Sequence, residues 1–331
     1  MPEGTRWLVT GGAGYIGSHV VRAFLGSGRQ VVVLDDLSSG HREFVPAGVP
    51  FIEGSVVDPG QVGAALRASG RVDGIVHLAG FKYAGVSVQR PLHTYRENVT
   101  GMQVLLEAAL DEHVPAFVFS SSAACYGTTD VDLVTESTPT APESPYGETK
   151  LIGEWLLGDV ARTAGLAHTS LRYFNVVGSG ASELYDSSPH NLFPLVLKAL
   201  TEGRTPLVLG TDYPTPDGSC VRDYVHVADV AEAHVGAARA LEQGRPLQPV
   251  YNLGSGDGLS VLQIMDAVRR VTGIEFSPEV RGRRPGDPPR IVASGEAAAR
   301  DLGWAMRHDV DAMVASAWQA WRAAGAGTRT A

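Results

Sequence analysis

Cysteine, lysine and long apolar runs are all scarce in this 331-residue chain. Two cysteines, Cys125 and Cys220, are too few for a disulfide framework and lack metal-ligand spacing, so both read as structural or incidental. No run of about 18 apolar residues occurs, which argues against a membrane-spanning helix. MPEGTR leads directly into the strand-like WLVT, without the apolar core of a signal peptide, so a cytoplasmic protein is expected. None of the ten histidines is spaced as in HExxH or another metal motif, and no metal is expected. A net charge of −9 argues against nucleic acid as a partner. It also requires any anionic ligand to be held by local arginines and helix ends, because the global field repels it. Internal repeats and long low-complexity tracts are absent as well.

What is present is a globular composition, 44% apolar and 19% charged, long enough for one large or two modest domains. WLVT (7–10), VVVL (31–34), FIE (51–53), GIVHLA (74–79), AFVFS (116–120) and HTSLRYF (168–174) are short, nearly continuous apolar runs, as strands buried on both faces should be. Helical patterns lie between them, at Ile16–Gly26, Gly60–Ala68, Pro91–His113 and Pro145–Thr163. This alternation predicts an α/β, Rossmann-like doubly wound parallel sheet. After about Asn175, Gly, Ser, Pro and Asp become dense, which predicts a smaller C-terminal substrate domain over 176–325. The segment 223–255 resumes the strand–helix style and is expected to pack back onto the first domain, 1–175. Residues 326–331 read as a frayed tail.

TGGAGYIGSH follows the first strand and opens the first helix. It satisfies both GxGxxG (Gly12, Gly14, Gly17) and GxxGxxG (Gly11, Gly14, Gly17). Glycine permits the tight turn and lets backbone approach a pyrophosphate, whose charge faces the helix N-terminus. Asp35, at the end of the second strand, would accept from the adenosine ribose hydroxyls and repel a 2′-phosphate, which favours NAD over NADP. Farther along, SPYGETK places Tyr146 and Lys150 at i and i+4 on a helix started by Ser144 and Pro145. With three lysines against ten tyrosines, a chance pair at this spacing is expected about 0.1 times.

Together with YxxxK, these segments make the sequence resemble the extended short-chain dehydrogenase/reductase family and, within it, the UDP-glucose 4-epimerases. The resemblance spans about Arg6 to Trp304 through TGGAGYIGSH, HLAGFKYAGVSVQRPLHTYRENVTG, FSSSAACYG, SPYGETK, LRYFNVVG, DYPTPDGSCVRDYVHVADVAEAH, YNLGSG and RRPGD. It implies NAD as a tightly held cofactor and a UDP-sugar as substrate, with Tyr146 exchanging a proton with the sugar hydroxyl. Lowering a phenol from pKa 10 by about three units needs about 4 kcal/mol, and Lys150 and the nicotinamide charge would supply the cations. Ser122 matches the serine that hydrogen-bonds the reacting oxygen. Gly11, Gly14, Tyr15, Ile16, Gly17, Asp35, Lys82 and Asn98 match cofactor positions, with Tyr146 and Lys150 also touching the cofactor. Asn175, Asn191 and Leu192 match substrate contacts, and Arg222, Arg284 and Asp287 the diphosphate clamp. Family members pair through the helices that correspond to Pro145–Thr163 and Pro91–His113, which implies a homodimer.

The chain departs from the family pattern at several positions. Related dehydratases carry acidic residues just after Ser122, where this chain has Ala123 and Ala124. Ser55 replaces an aspartate that contacts adenine, and Leu209 a phenylalanine near uracil. Ile291 stands where a tyrosine restricts the sugar pocket in some members, which leaves room for an N-acetylated sugar. The expected reaction is NAD-dependent 4-epimerisation of a UDP-hexose. A nucleotide-sugar dehydratase, a UDP-GlcNAc/UDP-GalNAc 4-epimerase of specialised metabolism and a non-catalytic NAD sensor stand as alternatives.

Overall fold

A computed structural model describes residues 4–284 and 287–327. The chain begins with β1 (Arg6–Thr10), α1 (Tyr15–Gly26), β2 (Gln30–Asp35), β3 (Phe51–Glu53), α2 (Pro59–Arg67) and β4 (Gly74–His77). Helices α3 (Ala84–Ser87), α4 (Pro91–Tyr95) and α5 (Gly101–Asp111) follow, then β5 (Ala116–Ser120), α6 (Pro145–Ala164) and β6 (Ala167–Tyr173). Next come β7 (Asn175–Val177), α7 (Leu192–Thr201), β8 (Leu207–Leu209), β9 (Val221–Arg222), β10 (Tyr224–His226) and α8 (Val227–Glu242). The rest is β11 (Val250–Leu253), β12 (Leu259–Ser260), α9 (Val261–Thr272), β13 (Glu279–Arg281), β14 (Arg290–Ile291), α10 (Glu296–Leu302) and α11 (Val310–Gly327). Of the tail expected over 326–331, residues 328–331 lie outside the described residues. No helix among the described residues is long and apolar enough to cross a membrane.

Seven parallel strands form the main sheet in the order β3-β2-β1-β4-β5-β6-β11. Strand alternation explains why every run is apolar. Trp7, Val9, Val31, Val33, Val76 and Val118 face one core with α1 and α8, while Leu8, Val32, Leu34, Ile75, Phe117 and Phe119 face the other with α2, α5 and α6. A third cluster, built around Phe193, Val196, Val208, Ile264, Met265 and Val314, holds the smaller C-terminal region together. Three short sheets (β7 with β10, β12-β9-β14, and β8 with β13) frame that region. The order reverses between β1 and β4, so the two crossovers leave in opposite directions and open a crevice at the strands' carboxyl ends.

The helix predicted over Pro91–His113 runs without interruption from Pro91 to Asp111 but is not α-helical throughout. Arg96–Thr100 form a π-helical turn between α4 and α5, a local widening that sequence periodicity does not reveal. Helix α6 starts as predicted, with the Ser144 hydroxyl accepting from Gly147 N at 3.2 Å and Pro145 in the first turn. The region after β6 is tied to α1 by several bonds. Tyr15 Oη donates to Gly178 O at 2.5 Å, Gly180 N donates to His19 Nε2 at 2.9 Å, and Arg22 pairs with Glu183 at 3.0 Å.

At the opposite end of the sheet, Glu242 at the end of α8 accepts from Trp7 Nε1 at 2.8 Å, Thr5 Oγ1 at 2.6 Å and Arg29 Nε at 2.9 Å. Burial pushes its carboxyl up, but the hydrogen bonds from Arg29, Thr5 and Trp7 outweigh this and hold its pKa below the usual value. A depressed carboxylate stabilises the fold above its unfolded pKa and ceases to as pH falls through the folded one. The stability difference between wild type and Glu242→Gln, measured by denaturant unfolding, should therefore be full at neutral pH. It should shrink as pH drops below about 4.

Candidate active site

A cavity of about 1250 Å³ runs along the carboxyl ends of the strands, from the β1–α1 turn to α7 and β8. A pocket for one small ligand measures about 300–1,000 Å³, so this volume has room for a dinucleotide and a second ligand together.

Its first wall is the glycine turn. Gly11 takes φ 71°, and a Cβ there would lie 2.7 Å from Ala79 N. A Cβ on Gly17 would lie 2.0 Å from Gly11 O, so no other residue lets α1 approach so closely. Helix α1 has no side-chain cap at Gly14 and no acid in its first turn, which leaves its amides open to an anion. Gly11, Gly14, Tyr15, Ile16 and Gly17 all line the cavity, as does Asp35. The Asp35 carboxylate accepts from Ala13 N and Leu37 N, both at 2.9 Å. Burial raises its pKa, although those amides and Lys82 oppose the shift. Open helix amides, a cradle that a side chain would fill and an oriented carboxylate fit the pyrophosphate and ribose of NAD. Ser55 also lines this end, with its amide held by Gln61 Oε1 at 2.7 Å.

Tyr146, Lys150 and Ser122 reach the same cavity from α6 and from the turn after β5. The Ser87 hydroxyl accepts from Tyr146 N at 3.1 Å, which fixes the start of α6 against α3. Ser122 caps the Ala123–Cys125 turn, its oxygen accepting from Ala124 N at 3.2 Å while its hydroxyl faces the Tyr146 phenol. The Lys150 ammonium is buried and donates to Ser120 O at 2.8 Å. It lies 4.9 Å from the centre of the Phe119 ring and 5.9 Å from that of Tyr146. Burial lowers its pKa to about 8, opposed by Cys125 and Glu154. The acidified Tyr146 phenol expected from the sequence includes the charge of the nicotinamide ring, which the protein alone does not carry. In the protein alone burial pushes the phenol up to about 12, with Ser122 hydrogen bonding in opposition and Cys125 reinforcing the rise. The amine one turn away is spent on a carbonyl, so a further positive charge must enter the cavity before the phenol becomes acidic.

Two residues expected at ligands stand elsewhere. Asn98, on the π turn, does not line the cavity. Its Oδ1 accepts from Phe81 N at 2.7 Å, and its Nδ2 donates to Phe81 O at 3.0 Å and Thr149 Oγ1 at 2.8 Å. It clamps the loop after β4 to α6, and through that loop it positions the cavity-lining Lys82. Ile291 likewise does not reach the wall. It packs with Tyr126, Val134, Ala293 and Phe174, and of these only Phe174 lines the cavity.

The remaining expected groups line the far half. Asn175 Nδ2 donates to Asp223 O at 3.0 Å, and Asn191, N-cap of α7, donates to Asp186 Oδ2 at 2.7 Å. Leu192 and Leu209 contribute apolar wall. Arg222 donates to Pro288 O at 2.7 Å and lies 3.5 Å from Asp287 Oδ1. Arg284 is exposed at the same end of the cavity and forms no ion pair among the described residues. Two guanidiniums thus converge on one end of an acidic protein, as anion binding there requires.

Sequence reasoning missed a second layer. The Ser120 hydroxyl bonds His234 Nε2 at 2.8 Å, and His234 Nδ1 donates to Val230 O at 2.8 Å. A carbonyl can only accept, so Nε2 accepts from Ser120. Burial lowers the His234 pKa to about 4, which keeps the ring neutral. Tyr173 also stands on the cavity wall, where burial raises its phenol and Ser120 opposes the rise. No local spacing connects residues 120 and 234. Tyr83 and His190 were also overlooked, although Tyr83 stands inside the quoted FKYAG; their rings meet edge to face at 4.9 Å on the cavity wall.

Comparison with known proteins matches residues 7–254 to the NAD dependent epimerase/dehydratase family. A UDP-glucose 4-epimerase of Corynebacterium glutamicum is 44% identical over 315 residues, which cover 94% of this chain and 94% of that protein. A crystal structure of UDP-glucose-4-epimerase from Stenotrophomonas maltophila with bound NAD and formylated UDP-arabinopyranose aligns with TM-score 0.92 at 38% identity, covering 99% of this chain and 100% of that one. UDP-glucose 4-epimerase from Brucella ovis in complex with NAD aligns with TM-score 0.90 at 38% identity, covering 95% and 97%.

Asn98→Ala should leave the Phe81 amide and carbonyl without partners. Unfolding free energy should fall by about 2 kcal/mol, and hydrogen exchange at Phe81 should quicken while that at the sheet core, such as Val76, keeps its rank order.

Proposed function

The chain belongs to the NAD dependent epimerase/dehydratase family, and on that premise we infer that it interconverts the C4 epimers of a UDP-hexose, UDP-glucose and UDP-galactose, with NAD as resident cofactor. The observation that carries this reading is the convergence of Tyr146, Ser122 and Lys150 on the cavity whose near wall is the Gly11–Gly17 cradle and whose far end holds Arg222 and Arg284. Residues 1–175 with 223–255 form the cofactor part and 176–325 the nucleotide-sugar part, a division that the β11–β6 pairing and the separate third core support.

Bound oxidised NAD supplies a positive ring charge and a reversible two-electron acceptor. Tyr146 would take the proton from the sugar 4-hydroxyl and give it back to the same oxygen after the 4-keto sugar has turned over, the inversion at C4 coming from the hydride that the two-electron acceptor would take from one face and return to the other. Ser122, beside the phenol, hydrogen-bonds the reacting oxygen and holds it there. Lys150, seated on the Ser120 carbonyl, keeps a second cation near the phenolate. Arg222, Arg284, Asn175 and the α7 amides behind Asn191 hold the diphosphate. Anchoring at the nucleotide alone leaves the pyranose free to turn over between its two encounters with Tyr146.

Elimination of a C6 hydroxyl, the dehydratase reading, needs an acid beside Ser122. The Ala123–Cys125 turn offers two methyl groups and a thiol that burial pushes up to about 11. The N-acetyl reading rested on Ile291, which packs against Tyr126, Val134 and Ala293. A sensor would have no use for the three converging groups.

Pairing of two chains is part of this proposal. Leu92 on α4 is 84% exposed and Trp155 on α6 59%, on two helices that pack together. Such a surface fits burial against a second copy. Two free, buried cysteines suit the reducing compartment of a cytoplasmic enzyme.

Purified protein incubated with UDP-galactose and no added cofactor should form UDP-glucose; recovery of a deoxy-keto sugar, or of substrate alone, counts against the reading. Tyr146→Phe should retain its NAD, measured after denaturation, while turnover falls about 10³-fold. Trp155→Glu should convert a mass of two chains into one by light scattering.

A further inference from the structure

We propose that Tyr83 and His190 form an aromatic clasp across the hexose chamber, and that this clasp limits the size of sugar the enzyme accepts. The proposal rests on the epimerase reading above. Tyr83 is the N-cap residue of α3. Its carbonyl accepts from Ser87 N at 2.8 Å, and the Ser87 hydroxyl accepts from Tyr146 N at 3.1 Å. Tyr83 therefore stands about one helical turn, roughly 6 Å, from the anchor of the working phenol. His190 directly precedes Asn191, the N-cap of α7, where the diphosphate is held. The clasp thus joins the two ends between which a tethered pyranose must swing.

Both jaws are seated from behind. Phe81 meets the Tyr83 ring edge to face at 5.6 Å, and its backbone is pinned by Asn98. Lys82 Nζ lies 5.6 Å from the centre of the Tyr83 ring. On the other side His190 N donates to Ser188 Oγ at 3.3 Å, and Asp186 accepts from Ser188 N at 3.0 Å and Asn191 Nδ2 at 2.7 Å. The contact between the jaws, by contrast, is a single edge-to-face ring pair at 4.9 Å and 69°. His190 is exposed and Tyr83 half-buried, so the pair can part to admit a ligand and close over it. An N-acetyl group on the pyranose enlarges the volume swept during rotation and collides with closed jaws.

The test uses NAD-loaded wild type, Tyr83→Ala, His190→Ala and Tyr83→Phe. Calorimetry measures binding of UDP-glucose and UDP-N-acetylglucosamine, and turnover is measured on both epimer pairs. Each alanine variant should raise the N-acetyl to plain-hexose ratio of kcat/KM about 10-fold or more, with a parallel change in the binding ratio. Tyr83→Phe, which keeps the ring, should match wild type. Unchanged ratios in both alanine variants, with UDP-glucose still bound, overturn the clasp. If wild type binds UDP-glucose but converts neither pair, the epimerase reading falls and the binding ratios alone decide the clasp.

Discussion

A buried hydrogen bond from the Lys150 ammonium to the Ser120 carbonyl, 2.8 Å long, locks α6 to the end of β5. Lys150 is placed there by the 3.6-residue repeat, one turn after Tyr146, and Ser120 is the last residue of a strand buried throughout. Because the carbonyl fixes the amine, it also fixes where the phenol stands relative to the crevice. Around it a second set of bonds closes. The serine's hydroxyl is taken by His234 from the opposite face of the sheet, so both faces of the domain contribute to holding one peptide. Loss of this arrangement would leave a desolvated cation without a partner, a costly state in any protein interior.

Electrostatics in the crevice are local and contrary to the whole molecule. A chain of net charge −9 repels a dinucleotide and a UDP-sugar at long range. The open amides of α1 at one end and Arg222 with Arg284 at the other supply attraction at contact distance. The phenol between them is held near pKa 12 in the protein alone. A cation in the near half of the crevice would act against this rise. Bonds from Tyr15, His19 and Arg22 to the 178–183 segment tie the two halves of the crevice to one helix. Cofactor and substrate walls thereby keep a common frame while the sugar turns.

The alternating strands and helices, the glycine turn, Asp35 and the Tyr146–Lys150 pair were legible because each depends on a short sequence pattern with a direct physical cause. Buried parallel strands must be apolar on both faces, a pyrophosphate requires glycines at a helix start, and i, i+4 residues share a face. The π turn within Pro91–His113 was not legible, since the one glycine beside it, Gly101, does not by itself signal a widened ladder. Asn98 and Ile291 matched family positions by register, and the structure bonds the first to Phe81 and packs the second against Tyr126, Val134 and Ala293.

By itself, the sequence determined the doubly wound class, the glycine turn and the placing of Tyr146 and Lys150 on one helix face, because those follow from neighbours within about one helical turn or one strand. Tertiary structure alone decided which side chains share a wall. Ser120 with His234, Tyr83 with His190, and Arg222 with Asp287 are brought together by strand order and loop return. Tertiary burial also decided the protonation of Tyr146. Desolvation depends on everything packed around a group, and no local pattern carries that information.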